Sequence, residues 1–267
     1  MNPLFVDPDP IWQRLRHEAD ALVARESLLG AFARSFIGER SHFEDALAAI
    51  LANRLGEMAL GASDLHQLFL PILARTEIGN ASRKDLSAVV ERDPAAQSLA
   101  LPFLHFKGFQ SLQAYRVAHF LWNSGRKDLA VYLQGRIALV YGVDIHPAAS
   151  IGFGILIDHA TGVVVGETAV IGNDVSMLHG VTLGGTGKQT GDRHPKVGSG
   201  VLLGAGAIIL GNVRIGDGSK VGAGSVVLAD VPPHCTVVGV PARVVGHPRA
   251  NEPGLSMDQA IEDDGED

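Results

Sequence analysis

The chain has 267 residues, of which 46% are hydrophobic, enough apolar side chain for one large domain or two ordinary ones. The formal net charge of −7 argues against a nucleic-acid partner, because nucleic-acid-binding proteins carry a basic patch. The single cysteine excludes an intramolecular disulfide and a cysteine-based metal cluster. No signal peptide is recognisable near Met1, and no apolar run approaches the roughly 18 residues of a membrane span. We therefore expect a cytoplasmic protein without membrane contacts.

Residues 1–142 carry the apolar spacing of amphipathic helices and are predicted to form an all-helical N-terminal domain. Pro71 kinks or breaks one of these helices, and Asp93 with Pro94 ends another, because proline disfavours helix continuation. In chain order, helices are predicted through Ile11, Leu15, Leu22 and Val23; through Leu47 to Leu55, opened by a capping box of Ser41 and Glu44; through Leu68, Leu70 and Leu73, capped by Asp64; from Ser82 to Glu91; from Phe106 to Trp122; and from Lys127 to Tyr141.

From residue 143 the apolar residues recur every six positions, which is typical of a parallel β-helix. Three such units make one coil of about 18 residues with an apolar side chain pointing inward at each corner. We therefore predict an α+β protein in which residues 143–247 form a triangular parallel β-solenoid. The repeat positions are Ile145, Ile151, Ile157, Val163, Ala169, Val175 and Val181, followed by Val197, Leu203, Ile209, Ile215, Val221 and Val227.

The repeat is interrupted once, because the sixteen residues from Val181 to Val197 are not a multiple of six. We interpret residues 184–196 as a polar, glycine-rich loop that leaves the coil, and such loops on rigid scaffolds often carry function. Arg193 and His194 lie together there, which favours function over a tolerated surface insertion. The polar, acidic residues 248–267 are predicted to form a flexible tail.

His159 is a candidate general base. It follows Ile157 by two residues, so an inward Ile157 allows the imidazole to point outward near a corner. Asp144 precedes His159 by fifteen residues, almost one coil, and a carboxylate stacked there would fix the ring tautomer and stabilise its protonated form. The alternative is that Asp144 and His146 simply start the first coil, and the spacing alone does not decide between the two.

Two ligand hypotheses rest on weaker patterns. His159, His179 and His194 could bind zinc between subunits, but no two of them have the short spacing of a dedicated metal motif, so no metal is expected. Residues 184–188 offer backbone N–H groups to a phosphorylated or pantetheine-bearing ligand, although the Walker spacing is absent. Possible phosphate partners are Lys188, Lys220 and Arg243.

Eight phrases are distinctive beyond the repeat: residues 93–94, 107–109, 112–116, 143–149, 158–162, 165–169, 181–188 and 191–196. Together they resemble the serine O-acetyltransferases of bacteria and plants, within the hexapeptide-repeat acyltransferase superfamily. The resemblance covers nearly the whole chain to about Gly246. It implies a left-handed β-helix, an exception to right-handed crossovers. It also implies transfer of acetyl from acetyl-CoA to L-serine, giving O-acetyl-L-serine for cysteine biosynthesis.

The resemblance assigns roles to individual residues. His159 would be the general base, with Asp144 as its orienting partner and direct transfer to the serine hydroxyl. Opposite charges would hold the two ends of the zwitterionic substrate. Asp93 and Asp158 match family positions for the ammonium group, and Arg193 and His194 match positions for the carboxylate. Acetyl-CoA would lie along the coil edge near Gly185, Thr186, Ala205, Lys220 and Ala223.

The resemblance also implies partners. Relatives form trimers with sites between neighbours, and their helical halves join two trimers, so a homotrimer or a dimer of trimers is implied. L-cysteine, shaped like serine, is the implied feedback inhibitor. Many relatives end in an isoleucine tail that inserts into O-acetylserine sulfhydrylase, whereas this chain ends in Glu266-Asp267, so that partner is not expected.

Three other functions remain open from sequence. They are acetyl transfer to a different hydroxyl or amine, zinc chemistry like that of carbonic anhydrase, and a non-enzymatic assembly scaffold. Acceptor competition, zinc content and coenzyme A release distinguish them.

Overall fold

The computed structural model describes residues 9–187 and 190–261. Helices occupy the chain up to Tyr141 and three sheets follow, as predicted, parallel except where the last two strands pair antiparallel. The helical bounds are α1 Pro10–Arg25, α2 Gly30–Ala33, α3 Phe43–Leu55, α4 Ala62–Leu73, α5 Thr76–Arg92, α6 Ala100–His105, α7 Lys107–Asn123, α8 Lys127–Tyr141 and α9 Pro253–Ser256, with a 3₁₀ turn at Ser27–Leu29 and a π turn at Arg34–Gly38.

Two predicted helix caps are wrong. The N-cap of α3 is His42, whose Nδ1 accepts from the Asp45 N–H, while the Asp45 carboxylate accepts from the Ser41 N–H at 3.0 Å. The predicted box of Ser41 and Glu44 is therefore displaced by one residue. Gly61, rather than Asp64, is the N-cap of α4, and Asp64 lies in the first turn, where a negative charge suits the helix dipole.

The helical domain and the solenoid share one continuous apolar core. Phe43, Phe69 and Phe103 are fully buried among the helices. At the base of the solenoid, Arg116 on α7 pairs with the fully buried Asp85 at 2.7 Å and donates to the Gly152 carbonyl at 2.7 Å. The helices are thereby fixed against the first coil.

The solenoid has about five turns and matches a left-handed parallel β-helix. Each turn contributes one short strand to each of three sheets, so backbone hydrogen bonds run from coil to coil. The first sheet has the order β1-β4-β7-β10-β13, the second β11-β8-β5-β2 and the third β15-β14-β12-β9-β6-β3. The strands are β1 Val143–Ile145, β2 Ser150–Ile151, β3 Leu156–Ile157, β4 Val163–Val165, β5 Val170–Ile171, β6 Ser176–Met177, β7 Thr182–Gly184, β8 Lys196–Val197, β9 Leu202–Leu203, β10 Ile208–Leu210, β11 Arg214–Ile215, β12 Lys220–Val221, β13 Val226–Val227, β14 Thr236–Gly239 and β15 Ala242–Gly246.

The strand register shows two interruptions of the 18-residue coil rather than the single one predicted. Val164 pairs with Thr182, which is the regular spacing, whereas Val143 pairs with Val163 and Val170 pairs with Lys196. The first coil is thus two residues longer than a regular coil, and the coil containing the polar loop is eight residues longer. The shorter interruption falls in residues 158–162.

Residues 249–261 pack against the solenoid, so the predicted flexible tail is wrong for this part of it. Gly254 is buried and donates to the Gly200 carbonyl at 2.8 Å, and its own carbonyl accepts from Ser176 Oγ at 2.6 Å. Residues 262–267 lie outside the described part of the chain. Within residues 9–187 and 190–261, no helix has the length and apolarity needed to cross a membrane.

Candidate active site

His159 lies in a corner between the third and first sheets, here called the His159 corner (residues 158–162). Both His159 and Ala160 have left-handed backbone conformations, with φ of 55° and 57°. The Thr161 N–H donates to the His159 carbonyl at 2.7 Å, and the Gly162 N–H donates to the Gly142 carbonyl at 2.8 Å. Such conformations are uncommon outside glycine and cluster at functional sites. They turn the imidazole outward, where its side chain is 76% exposed.

The next coil places His179 directly above His159 at the same edge. The two ring centroids lie 6.0 Å apart in an edge-to-face arrangement. Backbone hydrogen bonds of 2.8 Å continue the column, from Gly206 N to the His179 carbonyl and from Gly224 N to the Ala205 carbonyl. Ala205 and Ala223 therefore lie at the edge above the two histidines.

A cavity of about 520 Å³ opens between the His159 corner and the start of α7. Asp93, Asp158 and His159 all line it, so three of the predicted site residues converge within one protomer. One Asp93 oxygen accepts from the Ala95 N–H at 2.8 Å, and Asp158 lies 3.8 Å from His159 Nε2. Two carboxylates thus line the cavity, which favours a cationic group there.

Two residues that the sequence argument gave no role complete the cavity. Lys107 donates a short hydrogen bond to Thr161 Oγ1 and so ties α7 to the His159 corner. Gly108 is required by close packing, because a Cβ there would lie 1.9 Å from the Ile157 carbonyl oxygen. Both belong to the distinctive phrase 107–109, which was the signal available in the sequence.

Arg193 and His194 lie at a different corner, between the first and second sheets, here called the Arg193 corner (residues 166–169, 185–187 and 190–195). Thr168 Oγ1 accepts from both of their backbone N–H groups, at 3.0 and 3.1 Å. Arg193 pairs with Glu167 at 2.6 Å, and this hydrogen bond lowers the pKa of the Glu167 carboxyl. Gly185 belongs to the same corner, since a Cβ on it would lie 3.6 Å from His194 Nε2.

The hydrogen bonds of His194 define its tautomer. Its Nδ1 accepts from the Thr168 backbone N–H at 3.2 Å and lies 3.0 Å from the Thr168 hydroxyl. An accepting Nδ1 carries no proton, so Nε2 is the donor in the neutral ring. Burial, and next the Arg193 cation, lower the pKa of His194, which favours this neutral form.

Asp144 does not stack below His159 within a protomer. It lies on β1, with its side chain on the outer face of the first sheet, and pairs in register with Val164. Its carboxylate accepts from Gln134 Nε2 at 2.7 Å. The prediction took the fifteen residues between them as almost one coil, whereas Asp144 stacks with Val164, five residues beyond His159.

The predicted coenzyme residues are divided between the two corners. Gly185 and Thr186 lie at the Arg193 corner, whereas Ala205 and Ala223 lie in the His159 column. Lys220 is 4% exposed, and its Nζ donates to carbonyls of the packed tail, those of Asp258 and Ala260. The arrangement leaves Lys220 unavailable to a phosphate while the tail is packed. Arg243 is exposed on β15, and Lys188 lies outside the described residues.

The three histidines of the zinc hypothesis do not meet within one protomer. His159 and His179 share a corner, and His194 lies at the other. No group of three or more His, Cys, Asp or Glu side chains suited to a metal occurs in residues 9–187 and 190–261.

Comparison with known proteins places these features in a family. A model of the serine acetyltransferase N-terminal domain matches residues 11–114, and a bacterial transferase hexapeptide model of six repeats matches residues 194–229. "Serine acetyltransferase 2" of Arabidopsis thaliana is 53% identical over 256 residues, covering 95% of this chain and 79% of the relative. The serine acetyltransferase of Escherichia coli K12 is 49% identical over 250 residues, covering 93% and 92%.

Solved structures agree with the sequence relatives. The Vibrio cholerae serine acetyltransferase has a TM-score of 0.93 at 50% identity and covers 94% of this chain and 98% of its own. A serine acetyltransferase solved with cysteine has a TM-score of 0.92 at 48% identity, with coverages of 94% and 98%. The Brucella abortus enzyme solved with coenzyme A has a TM-score of 0.88 at 50% identity, with coverages of 90% and 96%. The chain belongs to the serine acetyltransferase family.

Proposed function

We propose that this enzyme transfers the acetyl group of acetyl-CoA to the hydroxyl of L-serine and forms O-acetyl-L-serine for cysteine biosynthesis. The observation that carries the proposal is the division of charge between the two corners. Asp93 and Asp158 beside His159 suit the ammonium group of serine, and Arg193 with the His194 Nε2–H suits its carboxylate. A zwitterion of this kind requires both groups together.

One protomer cannot bring both corners to one serine molecule. Seven residues, 160–166, separate His159 from Glu167, the partner of Arg193. Strand β4 (Val163–Val165) lies within that segment and alone rises roughly 10 Å at about 3.3 Å per residue, more than the length of a serine molecule. We infer a homotrimer in which the His159 corner of one protomer faces the Arg193 corner of the next, a ring closed by heterologous contacts.

In this arrangement His159 acts as general base. Its imidazole accepts the serine hydroxyl proton as the oxygen attacks the thioester carbonyl, and the imidazolium returns the proton to the departing coenzyme A thiolate. Asp144 projects from the sheet between the two corners, so it can orient a His159 ring only across the subunit seam. Direct transfer fits the cavity, because no Ser or Cys is found among its described lining residues.

The same seam accounts for the other ligands. Acetyl-CoA would contact Gly185 and Thr186 of one protomer and Ala205 and Ala223 of its neighbour. Cysteine has the ammonium and carboxylate groups of serine and a similar size, so it would compete for the same charges. The family members solved with coenzyme A and with cysteine support both assignments.

A thiol-release assay with acetyl-CoA and L-serine, with and without L-cysteine, tests the proposal. We expect serine-dependent release of coenzyme A that L-cysteine suppresses in competition with serine. A faster release with a sugar or an amine acceptor than with L-serine would refute the assigned acceptor.

A further inference from the structure

Arg92 is a buried arginine that joins the end of α5 to the solenoid next to the proposed ammonium site. Its side chain is only 3% exposed. Nη1 donates to Ser176 Oγ at 3.1 Å, and Nη2 donates to the Asp174 carboxylate at 3.2 Å. The next residue is Asp93, the C-cap of α5 and a lining residue of the cavity.

On the solenoid side, the strand that carries Ser176 pairs with the strand that precedes Asp158, the second carboxylate of the cavity. Ser176 lies on β6 and pairs in register with Leu156 on β3. Strand β3 ends at Ile157, immediately before Asp158. Arg92 therefore connects the two elements that supply the two carboxylates, one from a helix end and one from a solenoid corner.

The C-terminal tail orients the hydroxyl group of Ser176 toward its contact with Arg92. Ser176 Oγ donates its single proton to the Gly254 carbonyl at 2.6 Å, so its lone pairs face Arg92. Gly254 fits tightly, because a Cβ on it would lie 2.5 Å from the Asp174 carbonyl oxygen. Tail, strand and helix end thus form one hydrogen-bonded chain.

The burial of Arg92 destabilises the fold, so stability alone does not explain its position. Within the described residues, Arg92 Nε is buried and has no hydrogen-bond partner, and an unpaired buried donor destabilises a fold. Burial also lowers the pKa of Arg92. By contrast, the other buried arginine at the domain junction, Arg116, meets the fully buried Asp85 through both Nε and Nη2.

We propose that Arg92, oriented by Ser176 and α9, is a positioning residue that sets the spacing between Asp93 and Asp158 and thereby the affinity for the substrate ammonium group. The inference rests on the proposed function, because it assumes that these carboxylates bind serine. Two carboxylates on separate elements bind one ammonium group well only if the elements hold a fixed distance.

Steady-state kinetics of Arg92→Lys, Arg92→Met and Ser176→Ala test the proposal. We expect Arg92→Met to raise the KM for serine about tenfold, with the KM for acetyl-CoA and kcat at saturating serine within about twofold of wild type. Arg92→Lys and Ser176→Ala should shift the serine KM in the same direction by less. The matched control is Arg116→Lys, which should lower the melting temperature without a selective effect on serine.

Unchanged serine KM in Ser176→Ala, or equal effects of Arg92→Met on both substrates, would overturn the positioning role. Ser176→Ala carries the test if Arg92→Met does not fold. Failure of the proposed function gives a separate result, since wild-type enzyme would then release no coenzyme A with L-serine.

Discussion

His159 has a left-handed backbone conformation, which a residue other than glycine adopts only when its surroundings enforce it. With Ala160 it forms two consecutive left-handed residues, held by hydrogen bonds to neighbouring turns and by Lys107 on Thr161. The sequence could identify His159 as a candidate, because it follows an inward Ile157. It could not predict the conformation, because neither residue is glycine.

Replacement of His159 tests its chemical role at the scale of one residue. We expect His159→Ala to lower kcat by at least about a hundredfold, because a positioned general base contributes roughly 10²- to 10⁴-fold. Sedimentation should show an unchanged oligomer, since truncation of one side chain to alanine introduces no clash at the subunit seam. His17→Ala, an exposed histidine on α1, is the control. Near wild-type turnover of His159→Ala would contradict its role as base.

His194 predicts a pH dependence of stability. Its folded-state pKa lies below the ordinary 6.5 because of burial, so the folded state binds the proton less readily than the unfolded chain. The neutral ring therefore stabilises the fold above pH 6.5, and this contribution is lost as the pH falls below that value. Melting temperatures measured from about pH 8 to about pH 5 should fall less for His194→Gln than for wild type. Parallel curves would contradict the prediction.

At the scale of elements, the sequence predicted the repeat but missed one of its two interruptions. Alternate residues of a strand point the same way, so Val163 and Val165 both face inward and both are buried. An insertion of two residues therefore keeps apolar residues at the inward positions. A count in steps of six moves from Ile145, which pairs with Val165, to Val163, which pairs with Val143, without meeting a polar residue. The eight-residue insertion was detected because the sixteen residues from Val181 to Val197 are not a multiple of six.

The contact of α7 with β3 gives a prediction about an element. Gly108→Ala would place a Cβ against the Ile157 carbonyl, so the helix start or the strand end must move. We expect a loss of about 1–3 kcal/mol in the free energy of unfolding, with a lower kcat/KM for serine. Gly135→Ala on α8 is the control, because nothing lies within 4 Å of its added Cβ and alanine favours a helix. Equal effects of the two changes in denaturant titrations would contradict the packing argument.

At the scale of the whole molecule, resemblance supplied the candidate site residues but spacing could not assign them to corners. That assignment depends on the coil register, which the two insertions change. Asp93 shows the same limit, because its place beside Asp158 is set by helix packing far from it in sequence. The sequence therefore supplied the fold class and the candidate site residues, while their division between two corners of the solenoid required coordinates.

Subunit mixing tests this division. His159→Ala and Arg193→Ala protomers should each have little activity alone, yet their co-assembly should restore it. Each repaired site combines an intact His159 corner with an intact Arg193 corner from the neighbour, so about one quarter of the sites should recover in randomly mixed trimers. Pairing His159→Ala with Asp158→Ala, which alter the same corner, is the control and should restore nothing. Absence of recovery in verified mixed oligomers would show that the site lies within one chain.

Both insertions occur at corners, and the strands on either side of each resume regular stacking with the neighbouring coils. The solenoid consequently tolerates additional residues at its corners without a change in its three sheets. A family built on this plan can diversify the segments that meet small molecules while inheriting the same stable support. Transplanting an edge segment between members should therefore change selectivity at little expense to folding.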